Sequence, residues 1–263
     1  MTDPATLWQQ RLKEGGYEHR CENQWQFRQL RKLPRVWTVI FRVTGLRRGA
    51  RIFEVGCGGG IHLVRLALNG FDAHGIDVSP DVIQRAKKFI EEVQKFDSSV
   101  ESIKLMVGDF MKVNLEEICV EAGYDLVFNA GVIEHYLDRD DRIEFLKRML
   151  RLTKPGGFIV CIVPSGAHPY RAEQRQLKWG GYDIPEVDYS PETLADEMKK
   201  AGADRVRVIS HNIGGYLLAR PAEGWRRAGR TVVYLALQVV APLMPGGFKR
   251  RHAYSYIGIG SKV

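Results

Sequence analysis

The chain has 263 residues, 44% hydrophobic and 27% charged, with a formal net charge of +8. That length holds one sizeable α/β domain with embellishments, or one domain plus a small cap. Four cysteines (Cys21, Cys57, Cys119, Cys161) without C-x-x-C or metal-ligand spacing argue against a disulfide framework or a metal module, and the polar opening Met1–Glu18 lacks a secretory pattern, so the expectation is a cytoplasmic protein with reduced thiols and no metal.

In chain order, residues 1–50 lack strand alternation. They carry helical spacing at Trp8 and Leu12, then again through Trp25, Phe27, Leu30, Leu33, Val36, Trp37 and Ile40, which predicts a helical cap. Gly15-Gly16-Tyr17-Glu18 between the two runs reads as a helix break or a mobile cover. A buried parallel strand is predicted at 51–55. It runs into the turn Gly56-Cys57-Gly58-Gly59-Gly60, and a helix over 60–69 ends at Asn69-Gly70. Further strands are predicted at 72–77, 103–108, 124–129 and 157–163, with helices at 80–96 and 140–152. Ser79-Pro80 and Ser190-Pro191 are helix starts, each with serine as N-cap and proline at the first helical position. Arg205–Ser210 and Tyr254–Gly260 read as two last strands. Strand–helix alternation with near-continuous apolar strands predicts an α/β fold with a doubly wound, mostly parallel sheet covered on both faces. Two segments, 164–190 and 212–253, interrupt the pattern and read as lid or substrate insertions on a domain spanning 51–263.

A glycine turn between a strand and a helix lets a ligand approach the backbone closely at a helix N-terminus. A dinucleotide fingerprint would need a third glycine at position 61, which is Ile61, and no Gly-Lys-Ser/Thr follows for a P-loop. What stands is Glu54-Val55-Gly56-Cys57-Gly58-Gly59-Gly60. It is followed by Asp77 at the end of the second strand, Gly108-Asp109-Phe110 after the third, Asn129-Ala130-Gly131-Val132-Ile133-Glu134-His135 at the fourth and Lys154-Pro155-Gly156-Gly157 before the fifth.

In order and spacing this set, covering roughly residues 50–165, resembles the motifs of the class I S-adenosylmethionine-dependent methyltransferases, of the small-molecule type. The resemblance implies a seven-stranded Rossmann-like sheet with an antiparallel seventh strand, N-terminal helices that cover the cofactor, and S-adenosylmethionine as methyl donor. On that resemblance Glu54, Gly56, Cys57, Gly58 and Gly60 form the donor loop. Asp77 and Val78 meet the ribose, Asp109 and Phe110 the adenine, and Asn129 and Ala130 open toward the donor. The Asn/Asp-Pro-Pro-aromatic motif of DNA, RNA and glutamine methyltransferases is absent, because Asn129 is followed by Ala-Gly-Val.

Methyl transfer from a sulfonium needs a positioned acceptor, exclusion of water and, for a phenol, hydroxyl or ammonium, removal of a proton. Glu134 and His135 are the candidate catalytic pair. Val132 and Ile133 beside them argue against a metal ligand set. His168, Tyr170 and Arg171, after the fifth strand, are candidates for acceptor binding, Arg171 suiting a carboxylate or phosphate, and Trp179-Gly180-Gly181-Tyr182 adds aromatic surface for a lid. The expected partner is a small-molecule acceptor rather than nucleic acid, since the basic residues are mostly dispersed. The apolar stretch Thr231–Met244 has basic flanks at Arg226, Arg227 and Arg230 and at Lys249, Arg250 and Arg251. It reads first as a buried helix, a substrate wall or a dimer contact, and second as a helix at an anionic membrane surface. The expected function is methyl transfer to oxygen or nitrogen of a small molecule. The alternatives are a membrane-associated quinone or lipid acceptor, and a donor-binding protein without turnover.

Overall fold

The computed structural model describes residues 4–13, 15–178 and 184–263. Three helices lead: α1 (Pro4–Lys13), α2 (Gln24–Leu30) and α3 (Arg35–Thr44). Then β1 (Arg51–Val55), α4 (Ile61–Ala67), β2 (Asp72–Asp77), α5 (Pro80–Gln94), β3 (Lys104–Val107), a short α6 (Leu115–Ile118) and β4 (Tyr124–Ala130) alternate. α7 (Arg139–Leu152) passes directly into β5 (Thr153–Pro164). The rest comprises α8 (Arg171–Leu177), α9 (Pro191–Lys200), β6 (Asp204–Ile213), α10 (Tyr216–Ala219), α11 (Gly224–Val240), α12 (Gly246–His252) and β7 (Ala253–Ser261).

The seven strands form one sheet in the order β3-β2-β1-β4-β5-β7-β6. β1 pairs in parallel with β2 (Ile52↔Ala73) and with β4 (Ile52↔Leu126), so the order reverses at β1 and opens a crevice at its carboxyl end. β7 runs antiparallel to β5 and to β6, which leaves β6 parallel to the first five strands.

Successive side chains of a strand point to opposite faces, and both faces are covered. Phe53 and Val55 pack with Phe145, Met149, Leu194 and Met198 of α7 and α9. Ile52, Leu126 and Phe128 pack with Trp37 and Ile40 of α3 and Leu63 and Leu66 of α4. Each fully buried Ile or Phe contributes roughly 1.5–3 kcal/mol relative to exposure. Trp37 is fully buried and meets Phe128 edge-on at 4.8 Å, so α3 is part of the layered core. The serine–proline starts form as the sequence predicts, with the Ser79 side chain accepting from the Val82 N–H and Ser190 from the Thr193 N–H.

Two expectations are corrected. β5 begins at Thr153, four residues before the expected start at 157, because Gly156 (φ 74°) and Gly157 are absorbed into the strand around a register shift opposite Tyr124 and Leu126. The stretch at 231–244 is not a buried helix. α11 has no buried residue; its polar side faces the protein and its apolar side faces outward.

Candidate active site

The glycine loop leaves β1 at the reversal of strand order. Gly56 has φ 72°, and a Cβ there would sit 2.4 Å from Cγ2 of Val132, so the left-handed turn and the close passage of the next loop both require glycine. Gly60, also left-handed at φ 76°, forms the N-cap of α4. The loop is pinned from β2: the N–H groups of Gly56 and Cys57 donate to the Ile76 carbonyl. The Asp77 carboxylate accepts from the Gly58 N–H at 2.9 Å and the Ser79 N–H at 3.0 Å.

Above this loop lies a cleft of about 940 Å³, open mouth included. Of the expected donor residues, Glu54, Gly56, Cys57, Gly58, Asp77, Val78, Asp109, Phe110 and Ala130 line it together with His135. Gly60 turns the loop without lining the cleft. Asn129 is placed elsewhere: fully buried, its amide donates to Sγ of Cys161 at 3.2 Å and Sδ of Met149 at 3.5 Å, and its oxygen accepts from the Ile133 N–H. Asn129 therefore holds the turn at 133–135 from beneath.

Three acids carry the electrostatics. Glu54 is 2% exposed, its Oε2 has no hydrogen-bond partner, and burial, with the neighbouring Asp77 charge, raises its pKa well above the usual carboxylate range. An unpartnered buried carboxyl aimed into a cavity fits a cationic group. Asp77 is also raised by burial, opposed by its backbone hydrogen bonds, and it keeps lone pairs free for two hydroxyl donors. Asp109 accepts from the Met111 N–H and pairs with Lys112 at 2.9 Å, while Phe110 packs edge-on to Phe145 at 5.1 Å.

In the loop after β4, the Nδ1 of His135 lies 3.0 Å from the Pro185 carbonyl. A carbonyl only accepts, so Nδ1 carries the proton and Nε2 holds the lone pair. Burial lowers the pKa of this ring and keeps it neutral. Glu134, buried with Oε2 unpartnered, is pushed up to about 8 by burial, with the Glu186 charge adding to the rise and Arg171 opposing it. Glu134, His135 and Glu186 bring one ligand atom each within 4.8 Å of one another. Neither the cysteine spacing nor Val132 and Ile133 points to Glu186, which joins the pair from 51 residues further along the chain than His135. That carboxylate is ion-paired with the Arg171 guanidinium, which already supplies it with a positive charge.

His168, Tyr170 and Arg171, expected at the acceptor, do not line the cleft. Arg171 is buried between Glu186 and Asp188 (2.6 Å to the latter) and also bonds Gln174. His168 bonds the Gln174 Oε1 at 3.0 Å, stacks on Tyr216 at 5.4 Å and has its pKa lowered to about 4 by burial. Tyr170 lies under Arg220 at 4.5 Å. These contacts fix the β5–α9 connection, while the buried Nδ1 of His168 has no hydrogen-bond partner. Trp179, Gly180, Gly181 and Tyr182 lie outside the described residues.

Several lining residues went unselected by sequence. Trp8 meets the His135 ring edge-on at 5.0 Å, and the Tyr17 ring lies against Gly58. α1 is held there by Gln9, which donates to the Val78 carbonyl, and by Arg85, which donates to the carbonyls of Leu12 and Gly16. The Trp8–Leu12 spacing predicted a helical cap and the resemblance placed such helices over the cofactor, but neither named Trp8 as the residue that meets His135. His62 lines the opposite wall, with its Nδ1 accepting from the Trp37 indole at 3.4 Å and its pKa down to about 4 through burial.

The buried carboxyls set a sign for pH dependence. An acid whose folded pKa is raised binds more protons folded than unfolded, so its contribution to stability falls as pH rises from the unfolded value through the folded one. For Glu134 that window runs from about 4.5 to about 8. Glu134→Gln, neutral throughout, is therefore expected to match the parent near pH 4.5 and to exceed it by on the order of 4 kcal/mol above pH 8.5. Parallel denaturant titrations across that range check this; a pH-independent difference would refute it.

Comparison with known proteins gives one direction. Residues 53–161 match a family described as a methyltransferase domain. A ubiquinone biosynthesis O-methyltransferase of Cereibacter sphaeroides is 27% identical over 168 residues, 60% of this chain and 62% of that enzyme. The human EEF1A lysine methyltransferase 2 is 31% identical over 116 residues, 42% of this chain and 46% of that one. Among solved structures, a SAM-dependent methyltransferase from Archaeoglobus fulgidus superposes with a TM-score of 0.55 at 17% identity, covering 99% of this chain and 100% of that one.

Proposed function

We propose, taking as premise that residues 53–161 of this chain are a class I S-adenosylmethionine-dependent methyltransferase domain, that the protein transfers a methyl group to an oxygen or nitrogen of a small-molecule acceptor. The relatives named O-methyltransferase share 62% of their length with the chain, and they support oxygen as the first acceptor atom to try. One observation carries the reading. A single cleft joins the donor loop, with its unpartnered Glu54, to a neutral histidine whose Nδ1 is anchored by a carbonyl.

When bound, S-adenosylmethionine supplies an electrophilic methyl on a positively charged sulfur. Glu54 would hold its ammonium group, Asp77 the two ribose hydroxyls, and Asp109 with Phe110 the adenine. Gly56 and Gly58 let the backbone lie against it without side-chain obstruction. Trp8 and Tyr17 cover the cleft and exclude water, which strengthens every charge interaction inside. His135 offers the Nε2 lone pair to the acceptor's proton, and the Pro185 carbonyl stabilises the resulting imidazolium through Nδ1–H. Glu134 stands beside the ring as a neutral acid at pH 7 and becomes a second negative charge only in alkaline solution.

The test is single-turnover transfer of an isotopically labelled methyl group to a panel of phenols, catechols and amines. His135→Ala is expected to lower kcat about a hundred-fold, the lower end of general-base contributions because the donor is already activated. The parent's kcat/KM should rise with pH through an ionisation below the ordinary histidine range and then level off. Loss of that limb in the variant identifies the base. An unchanged profile, or donor binding without turnover on any acceptor, would defeat the assignment.

A further inference from the structure

We infer that α11 is a docking surface for an anionic lipid bilayer, lying in the plane of the membrane surface. The helix is amphipathic, yet mounted inside out. At 100° per residue, Trp225, Val232, Val233, Leu235, Val239 and Val240 fall within one arc of about 160°. All six are exposed, Trp225 by 80%, Val239 by 76% and Val232 by 66%. Only Ala228, Ala236 and Gly229 share that arc, so the outward face carries no polar side chain.

The polar side fastens the helix to the body. Gln238 donates to the Ile213 carbonyl at 2.7 Å, Tyr234 to Asn212 at 3.0 Å, and Arg230 to the carbonyls of Arg220 and Pro221. Arg35 donates to the Gln238 carbonyl. Leu237 closes over Gly214. These bonds fix the rotation of the helix, so its apolar face does not turn inward. Leu243, 88% exposed, extends the surface beyond the last turn.

Charge selects the occupant. Residues 224–252 contain six Lys or Arg and no Asp or Glu. Arg226 and Arg227 flank Trp225 at one end, and Lys249, Arg250 and Arg251 follow the other. Arg250 pairs with Glu192 of α9 at 3.1 Å, but the segment itself contributes no acid, and a second copy on the same face would bring two such basic segments together. An anionic headgroup layer neutralises them while its acyl boundary takes the Val, Leu and Trp side chains. α11 spans about 25 Å, and no helix among the described residues is long and apolar enough to cross a membrane; α11 therefore lies on the bilayer.

The position is functional. β6 is parallel to β1, so α10 and α11 leave the sheet at the edge where the glycine loop leaves β1. α10 in turn holds the β5–α9 connection through Tyr216 on His168 and through the neighbouring Arg220–Glu173 pair at 2.6 Å. Docking would bring that edge to an acceptor resident in the bilayer. The docking claim itself stands independently of the methyl-transfer reading.

The test is co-sedimentation of the full chain with phosphatidylglycerol–phosphatidylcholine vesicles and with pure phosphatidylcholine vesicles. The parent is expected to partition onto the anionic vesicles and to be released by salt. The double variant Val232→Glu/Val239→Glu and the double variant Arg226→Glu/Arg227→Glu are each expected to lower partitioning at least about ten-fold. Their melting curves and donor affinity should be unchanged, since the altered side chains are exposed. No partitioning by the parent, or partitioning of either variant equal to the parent's, overturns the inference. So does a concentration-dependent dimer in sedimentation velocity that the Val232→Glu/Val239→Glu change abolishes without any vesicle binding.

Discussion

Glu197→Ala is expected to destabilise the protein by about 3–5 kcal/mol, because it leaves a buried guanidinium without its partner. Arg142 on α7 and Glu197 on α9 are both buried and meet through three contacts of 2.7–3.2 Å. The Tyr189 hydroxyl donates to the same carboxylate at 2.9 Å. The Nη1 of Arg142 donates to the carbonyls of Tyr136 and Leu137, immediately after His135. Loss of the carboxylate strands both donors on the sheet face where Leu194 and Met198 pack. Denaturant unfolding should show a lower midpoint with an unchanged slope. The double change Arg142→Met/Glu197→Leu removes both charges together, and it should recover much of the loss. A cost under about 1 kcal/mol for the single variant would mean that solvent reaches the pair.

The second large effect is on donor affinity. In Asp77→Ala the two ribose hydroxyls that we assign to this carboxylate lose their acceptor. At about 1.5–3 kcal/mol for each hydrogen bond to a charged group, affinity should fall at least about a hundred-fold. Stability should move the other way. Burial raises the pKa of Asp77, so ionising it costs the folded protein stability that the unfolded chain does not lose. Removing it also relieves Glu54, whose own rise is partly due to Asp77. Calorimetric titration with S-adenosylmethionine and S-adenosylhomocysteine, beside a melting curve, separates the two effects. A variant that melts early and binds weakly would show that Asp77 serves mainly to hold the Gly58 and Ser79 amides.

The glycine-loop side of the cleft was legible in the sequence because its geometry is local. A strand, a glycine turn that only glycine can make past Val132, and an acid at the next strand end are all encoded within about 25 consecutive residues, and the parallel pairing of β1 with β2 and β4 brings them together. The surroundings of His135 and Arg171 were not, because their contacts close over long separations. Arg171 follows the fifth strand as a substrate ligand would, yet its partners are Glu186 and Asp188, which no spacing rule links to it. Trp8 reaches His135 across more than a hundred residues. For the segment that forms α11 the sequence disclosed an apolar stretch with basic flanks. Periodicity is blind to rotation about the axis, and the bonds of Tyr234, Gln238 and Arg230 decide that rotation.

The strand order bears on how the chain can be assembled during synthesis. β7 sits between β5 and β6, so the strand made last of the seven is inserted into the sheet and is not added to its rim. Until it emerges, β6 has no hydrogen-bonding neighbour and β5 presents an open edge, while β1 to β5 can already pair among themselves. A nascent chain thus passes through a stage with two unsatisfied strand edges, the kind of surface that recruits other unfolded chains. The sheet can close only after β7 has emerged, and translation speed through β6 and the segment after it sets how long that exposure lasts.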